Sequence, residues 1–248
     1  MGTFRLQAML GAATLALTLE QAAASLQELY GHLTPHTPSP FVREKIQSMT
    51  SPDFLRKVNV AGEDYTFISF TDGSHSADLM ILMPDQTVKT LNLGPITAVL
   101  SADEFPFMKP QQVLVVSSTG GSGQHHVYGL VLDLDEKSEP VMRIPLHGYL
   151  TPAGLVPEHL ESIGGTAAFS YAMTKIEKQQ GQLRIQGILQ LKTEGFSARE
   201  VQDILKAHDL PAVEMPYEIN LKNQNTTEIS CAAGCKPWLD AVLANLSN

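Results

Sequence analysis

The chain has 248 residues, 43% of them hydrophobic, which suits one large domain or two small ones with a sizeable core. That composition excludes a disordered chain and a multi-span membrane protein. With 17 basic against 26 acidic residues the net charge is −9, so an extended phosphate-binding face for nucleic acid is not expected.

The N-terminus carries the first pattern. Arg5 precedes an apolar stretch from Leu6 to Leu19, and Ala22, Ala23 and Ala24 follow it. This is the order of a secretory signal over residues 1–24: a positive start, a short apolar run, then small residues before the cut. The stretch is roughly 14 residues, short of the roughly 20 that a helix needs to span a bilayer, so no membrane span is expected. The competing reading is an alanine- and leucine-rich helix packed on the domain. Export places the mature chain in the periplasm or outside the cell.

Residues 25–52 read as an N-terminal arm, helical and proline-rich. Leu26 to Leu33 and Phe41 to Met49 suit short helices, and Pro35, Pro38 and Pro40 make the connection between them extended. From Phe54 the period becomes that of strands. Tyr65 to Phe70 stops at Asp72-Gly73, Leu79 to Met83 at Pro84-Asp85, and Val88 to Leu93 at Gly94-Pro95. Ile96 to Leu100 follows, then a loop from Asp103 to Pro110. Further strands are expected at Val113 to Val116, Val127 to Leu134 and Val141 to Leu146. No amphipathic helix separates them, which argues against an alternating βαβ fold.

Tyr149 to Gly165 is loop-like and is a candidate division between two sub-sheets. Phe169 to Ile176 and Leu183 to Leu191 suit a hairpin, with Leu183, Ile185, Gly187, Leu189 and Leu191 on one face of the second arm. Ser197 to His208 is a helix with a capping-box pattern, Ser197 and Glu200. Val213 to Leu221 returns to strand, and Pro216 within it suggests an edge. Pro237 to Leu246 closes the chain as a helix with a docking stripe of Trp238, Leu239, Val242 and Leu246. The expected fold is therefore mainly β (α+β): an antiparallel sheet, sandwich or propeller-like meander over 53–248, with short flanking helices at the N-terminus, near 197–208 and at the C-terminus.

Cys231 and Cys235 are the only cysteines, separated by Ala232, Ala233 and Gly234. Small residues between them let the chain fold back into a tight disulfide loop in an oxidising compartment. Free thiols are the alternative. The spacing differs from a redox Cys-x-x-Cys, and no histidine lies nearby for zinc.

The segment from Ser117 to His126 is the candidate site for chemistry or contact, through Ser118, Gly120, Gly121, Ser122, Gly123, His125 and His126. Such glycine and serine turns let a ligand approach the backbone closely. A phosphate loop would need a lysine and a following helix, and neither is here. The segment resembles the glycine-rich hairpins of secreted bacterial propeller-type repeats, but it lacks the aspartates of a calcium loop, so the resemblance implies no residue role. A flexible hairpin is the plainest reading. Adjacent strand residues point to opposite faces, so His125 and His126 would not ligate one metal together; one of them could join His75 or His147, with Asp72 or Asp78. A serine hydrolase would use Ser118 or Ser122, one of the histidines, and Asp133 or Asp103, but Gly121-Ser122-Gly123 matches only the inside of a nucleophile elbow.

No catalytic residue, metal or cofactor is assigned. The function expected is an exported, non-catalytic binding protein: an inhibitor, an immunity-type protein or an envelope accessory factor. Its acidic surface suits a basic protein partner. The alternative is a hydrolase or metal-dependent enzyme that uses the Ser117–His126 loop.

Overall fold

The computed structural model describes residues 19–36, 39–72, 76–121, 124–134, 140–179, 182–223 and 226–247. The fold is mainly β, in two antiparallel sheets, with helices in the N-terminal region, after the long hairpin and at the C-terminus. No helix among the described residues is long and apolar enough to cross a membrane.

The smaller sheet runs in chain order: β1 (Phe54–Val60), β2 (Glu63–Thr71), β3 (Ala77–Leu82) and β4 (Val88–Leu93). Ala61 and Gly62, at φ 53° and 92°, make the two-residue connection from β1 to β2. Two positive φ values in a row match the twist of a tight hairpin. On β2, Ile68 and Phe70 are buried against Tyr30 and Leu33 of α1 (Leu19–Leu33) and against Val42 and Ile46 of α2 (Pro40–Gln47). The two helices of the N-terminal segment thus pack on β2. Ser39 holds α2 there: its Oγ caps α2 by accepting from the Val42 N–H and donates to Asp78 Oδ2 at 2.8 Å. The expected signal lies outside the described residues up to position 18, and α1 runs through Ala24.

The larger sheet has eight strands in unbroken chain order, β5 (Ile96–Ser101), β6 (Gln112–Gly121), β7 (Gln124–Asp133), β8 (Pro140–Leu150), β9 (Thr166–Gln179), β10 (Gln182–Glu194), β11 (Glu214–Asn223) and β12 (Thr226–Cys231). Of residues 149–165, the candidate division between sub-sheets, Tyr149 and Leu150 end β8 and 151–165 connect it to β9 inside this sheet. They carry the short helix α3 (Glu158–Glu161). The described residues form two compact units, one of 19–119 with 131–134 and 140, the other of 120–130 and 141–247.

In the C-terminal unit, β9 and β10 pair from Gln182↔Gln179 to Glu194↔Thr166 as one long hairpin, with a bulge beside Gly187. Ile185, Leu189 and Leu191 are buried and Ile188 is exposed, the alternation expected of a strand with one covered face. Helix α4 (Ala198–Ala207) begins at a complete capping box: Ser197 Oγ accepts from the Glu200 N–H and Glu200 Oε2 accepts from the Ser197 N–H. Helix α5 (Lys236–Ser247) buries Leu239 and Val242 and lays Trp238 on Phe169, ring centres 4.9 Å apart.

Strand β11 is not an edge, because β12 pairs with it. Pro216 is tolerated for a local reason: it pairs with Ile188 of β10, while the register with β12 begins at Tyr217↔Cys231, so the proline lies beside one strand only. In the loop after β5, Asp103 is exposed and Glu104 is half-buried. Glu104 pairs with Arg56 and accepts the Ser101 N–H, and Phe105 is buried edge-on to Phe107.

Candidate functional site

The glycine-rich segment is shorter as a loop than its composition suggests. Strand β6 continues through Gly121 and β7 resumes at Gln124, so Ser118, Gly120 and Gly121 belong to a strand, while Ser122 and Gly123 lie outside the described residues. Pairing supplies the reason. The Ser117 hydroxyl donates to the Gly94 carbonyl at 3.0 Å, and the Ser118 N–H donates to the Pro95 carbonyl at 3.0 Å. A Cβ built on Gly94 would sit 1.5 Å from the Ser118 oxygen, so only glycine allows this approach. Backbone contact with the Gly94-Pro95 corner overrides the local turn chemistry.

The two adjacent histidines part as strand geometry requires. His126 is 1% exposed, and its ring stacks on Tyr171 at 5.8 Å with Nδ1 and the Tyr171 hydroxyl 3.1 Å apart. Burial, with the charge of His125 added, holds the His126 imidazole below the usual 6.5, and its Nε2 has no partner among the described residues. Tyr171 reaches His126 because Gly148 vacates the space: a Cβ there would lie 2.9 Å from the tyrosine ring and 2.3 Å from the His125 carbonyl. Gly187 does the same for Tyr217, whose hydroxyl would be 2.4 Å from an added Cβ.

His125 faces the other way, into a trough of about 550 Å³ on the open face of this unit. The register builds it. One row across β8, β9, β10 and β11 is His147, Ala172, Ile188 and Pro216; the next is Tyr149, Ser170, Gln190 and Glu214. Strand β9 contributes only small side chains, so the middle of each row is low. Strands β8 and β10 contribute large ones, so walls rise about 10 Å apart, two strand spacings. Tyr149 and Ile188 are 44% and 40% exposed, and Tyr149 lies 6.2 Å from the His125 ring. Lys192 and Thr174 complete the working polar groups. Burial, then the charge of His125, lowers the His147 imidazole from its usual value. A second cleft, about 630 Å³, lies in the other unit between α1 and the β1–β3 face, where Lys57 and Asp64 pair at 2.9 Å.

No protein-family model, curated protein or solved structure matches the chain.

The other sequence candidates have structural partners. Asp133 accepts from Gln112 Nε2 at 3.2 Å, and Asp78 is shared by Ser39 and Asn92. His75 lies outside the described residues, among which no three His, Cys, Asp or Glu side chains are grouped to hold a metal. Cys231 and Cys235 are free thiols. Cys235 is buried and Cys231 half-buried; desolvation, then the hydrogen bond with Cys231, raises the Cys235 thiol pKa strongly. Gly234, at φ 75°, turns the chain between them within reach of the His208 and Asp209 carbonyls. Of the sequence candidates, His125 and His147 line the trough. Tyr149, Ile188 and Lys192 were not among them, and their only sequence signal is alternation: His147 and Tyr149 on one strand, Ile188, Gln190 and Lys192 on another.

Proposed function

We propose that the protein is an exported, non-catalytic binding protein (an inhibitor, immunity-type protein or envelope accessory factor) that meets its partner through the trough of the C-terminal unit. One observation carries this reading. Tyr149 and Ile188 are held open to solvent on β8 and β10, the two strands that flank β9, above a floor of Ser170 and Ala172. Large apolar side chains fixed on a rigid sheet and rimmed by polar groups are the make-up of a contact surface.

Export to the periplasm or the extracellular space is supported by Arg5, the apolar run to Leu19 and the alanines at 22–24. In that compartment the neighbouring Cys231 and Cys235 thiols close into a disulfide. The net charge of −9 favours long-range attraction of a basic protein and disfavours nucleic acid. The enzyme reading has less support, because His126, one of its two candidate bases, is buried against the Tyr171 hydroxyl.

The test compares the purified mature chain with Tyr149→Ala and Ile188→Asp for affinity toward the partner cross-linked to it in the envelope or culture fraction. Each substitution is expected to weaken binding about tenfold or more with no change in melting temperature. Recovery of no partner, or affinity untouched by both changes, contradicts the reading. Loss of a catalysed activity on replacing His125 and His126 together favours the enzyme instead.

A further inference from the structure

The two cysteines meet solvent unequally. Cys231 ends β12, opposite Tyr217 of β11, and Cys235 stands just before α5. Cys235 is fully buried, Cys231 is half-buried, and a hydrogen bond joins them. The spacing is one residue longer than in a redox Cys-x-x-Cys, and the backbone takes up the extra residue. Gly234 turns at φ 75°, and the Cys235 N–H donates to the Ala232 carbonyl at 3.2 Å. The Cys235 carbonyl accepts from the Trp238 and Leu239 N–H groups at 3.2 and 3.3 Å. A Cβ added to Gly234 would lie 2.3 Å from the His208 carbonyl oxygen, so the turn is pressed on the end of α4 and keeps the two sulfurs side by side. Desolvation, then the hydrogen bond with Cys231 and its charge, hold the Cys235 thiol protonated. The last two causes lie on Cys231 and fall away once that sulfur is bonded to another sulfur.

Resting on the reading that this pair closes into a disulfide, we propose that it is a reversible exchange site for small disulfides, with Cys231 the attacking sulfur and Cys235 the resolving one. The Cys231 thiolate attacks one sulfur of the small disulfide. That S–S bond breaks, and the first thiolate leaves and takes up the proton that Cys231 gave. Cys235 then attacks the Cys231 sulfur and breaks the mixed disulfide, and its proton goes to the second departing thiolate. One disulfide is reduced to two thiols while two thiols of the chain become one disulfide, so protons and electrons balance. Access sets the order, because a half-buried sulfur can be reached by a small reagent and a buried one cannot. The product ties the end of β12 to the start of α5, and a small dithiol reverses it. Trp238, the single tryptophan of the chain, lies three residues past Cys235, 4.9 Å from the Phe169 ring and edge-on to His208 at 5.5 Å. Its emission therefore reports on closure. No residue of the trough takes part, so the switch and the contact surface are separable.

The probe is bis(2-hydroxyethyl) disulfide, neutral and small, added to the reduced full chain and followed by mass and by Trp238 emission. The chain is expected to end about two daltons lighter, with no adduct retained and an emission change that dithiothreitol reverses. Cys235→Ser should stop at a single hydroxyethylthio adduct on Cys231, and Cys231→Ser should react about tenfold more slowly or less. A brief iodoacetamide pulse on the unaltered chain needs no substitution: peptide mapping should find Cys231 labelled about tenfold ahead of Cys235. A reduced chain inert to the probe, an adduct that persists beside a free Cys235, or equal labelling of the two thiols would each overturn the proposal. The reading beneath it has its own readout, the thiol count of chain alkylated on recovery from the native compartment. Two free thiols there, with the probe reaction intact, would remove the standing disulfide and leave the exchange site in place. A closed pair there that resists a small dithiol in the folded chain would keep the disulfide and overturn the exchange.

Discussion

At Gly148 and Gly187 the missing side chain is what the neighbouring strand uses. Tyr171 leans over the first to stack on His126, and Tyr217 leans over the second. Gly148→Ala forces the Tyr171 ring off His126 and is expected to cost about 1–3 kcal/mol, read from urea unfolding. Gly31→Ala is the control: it sits within α1 with nothing inside 4 Å of an added Cβ, so it should be neutral or stabilising. Mild acid tests the buried imidazole. The His126 pKa is lowered by burial, so the folded state holds fewer protons than the unfolded one. Its contribution is complete above the unfolded value of 6.5 and is lost as pH falls through the folded value. His147 shifts in the same direction. The urea midpoint should therefore fall with acidification, and His126→Gln should flatten that dependence without abolishing it. An unchanged slope in the variant would contradict the assignment.

Elements differ in how far they can be read from sequence, and the difference follows the range of the interactions that make them. Helix α4 is written locally: Ser197 and Glu200 satisfy each other's backbone N–H groups, and Ser197→Ala should cost about 1 kcal/mol of stability by thermal unfolding. The long hairpin is equally plain, because Leu183 to Leu191 alternates. Strand β12 is different. Thr226 to Ser230 is polar apart from Ile229, and only pairing with β11 makes it a strand. The same holds at Ser117 and Ser118, where turn chemistry points to a loop but contact with Gly94 and Pro95 keeps the chain in β6. At the other end of β12, oxidation of Cys231 and Cys235 closes a very short loop. Chain-entropy reasoning gives about 2 kcal/mol of stabilisation. The oxidised and reduced chains should differ by about that much in urea unfolding, with the difference absent in Cys231→Ser.

For the whole molecule, the meander was legible because strand runs separated by turns, with no helix between them, leave few topologies. The trough was not legible. Residue type and alternation place His147 with Tyr149, and Ile188 with Gln190, each on one face. Setting the two pairs opposite each other takes the β8–β9–β10 register, and the bulge beside Gly187 determines part of it. A contact surface made in this way is a property of pairing rather than of any one segment. The most direct test of the claim that the trough is that surface is photo-crosslinking in the native compartment. A benzoylphenylalanine replaces Tyr149 in one chain and Met49, equally exposed at 44% on the other unit, in another. The account predicts a discrete adduct from position 149 and none from position 49. No adduct at 149, or the same adducts from both positions, would contradict it.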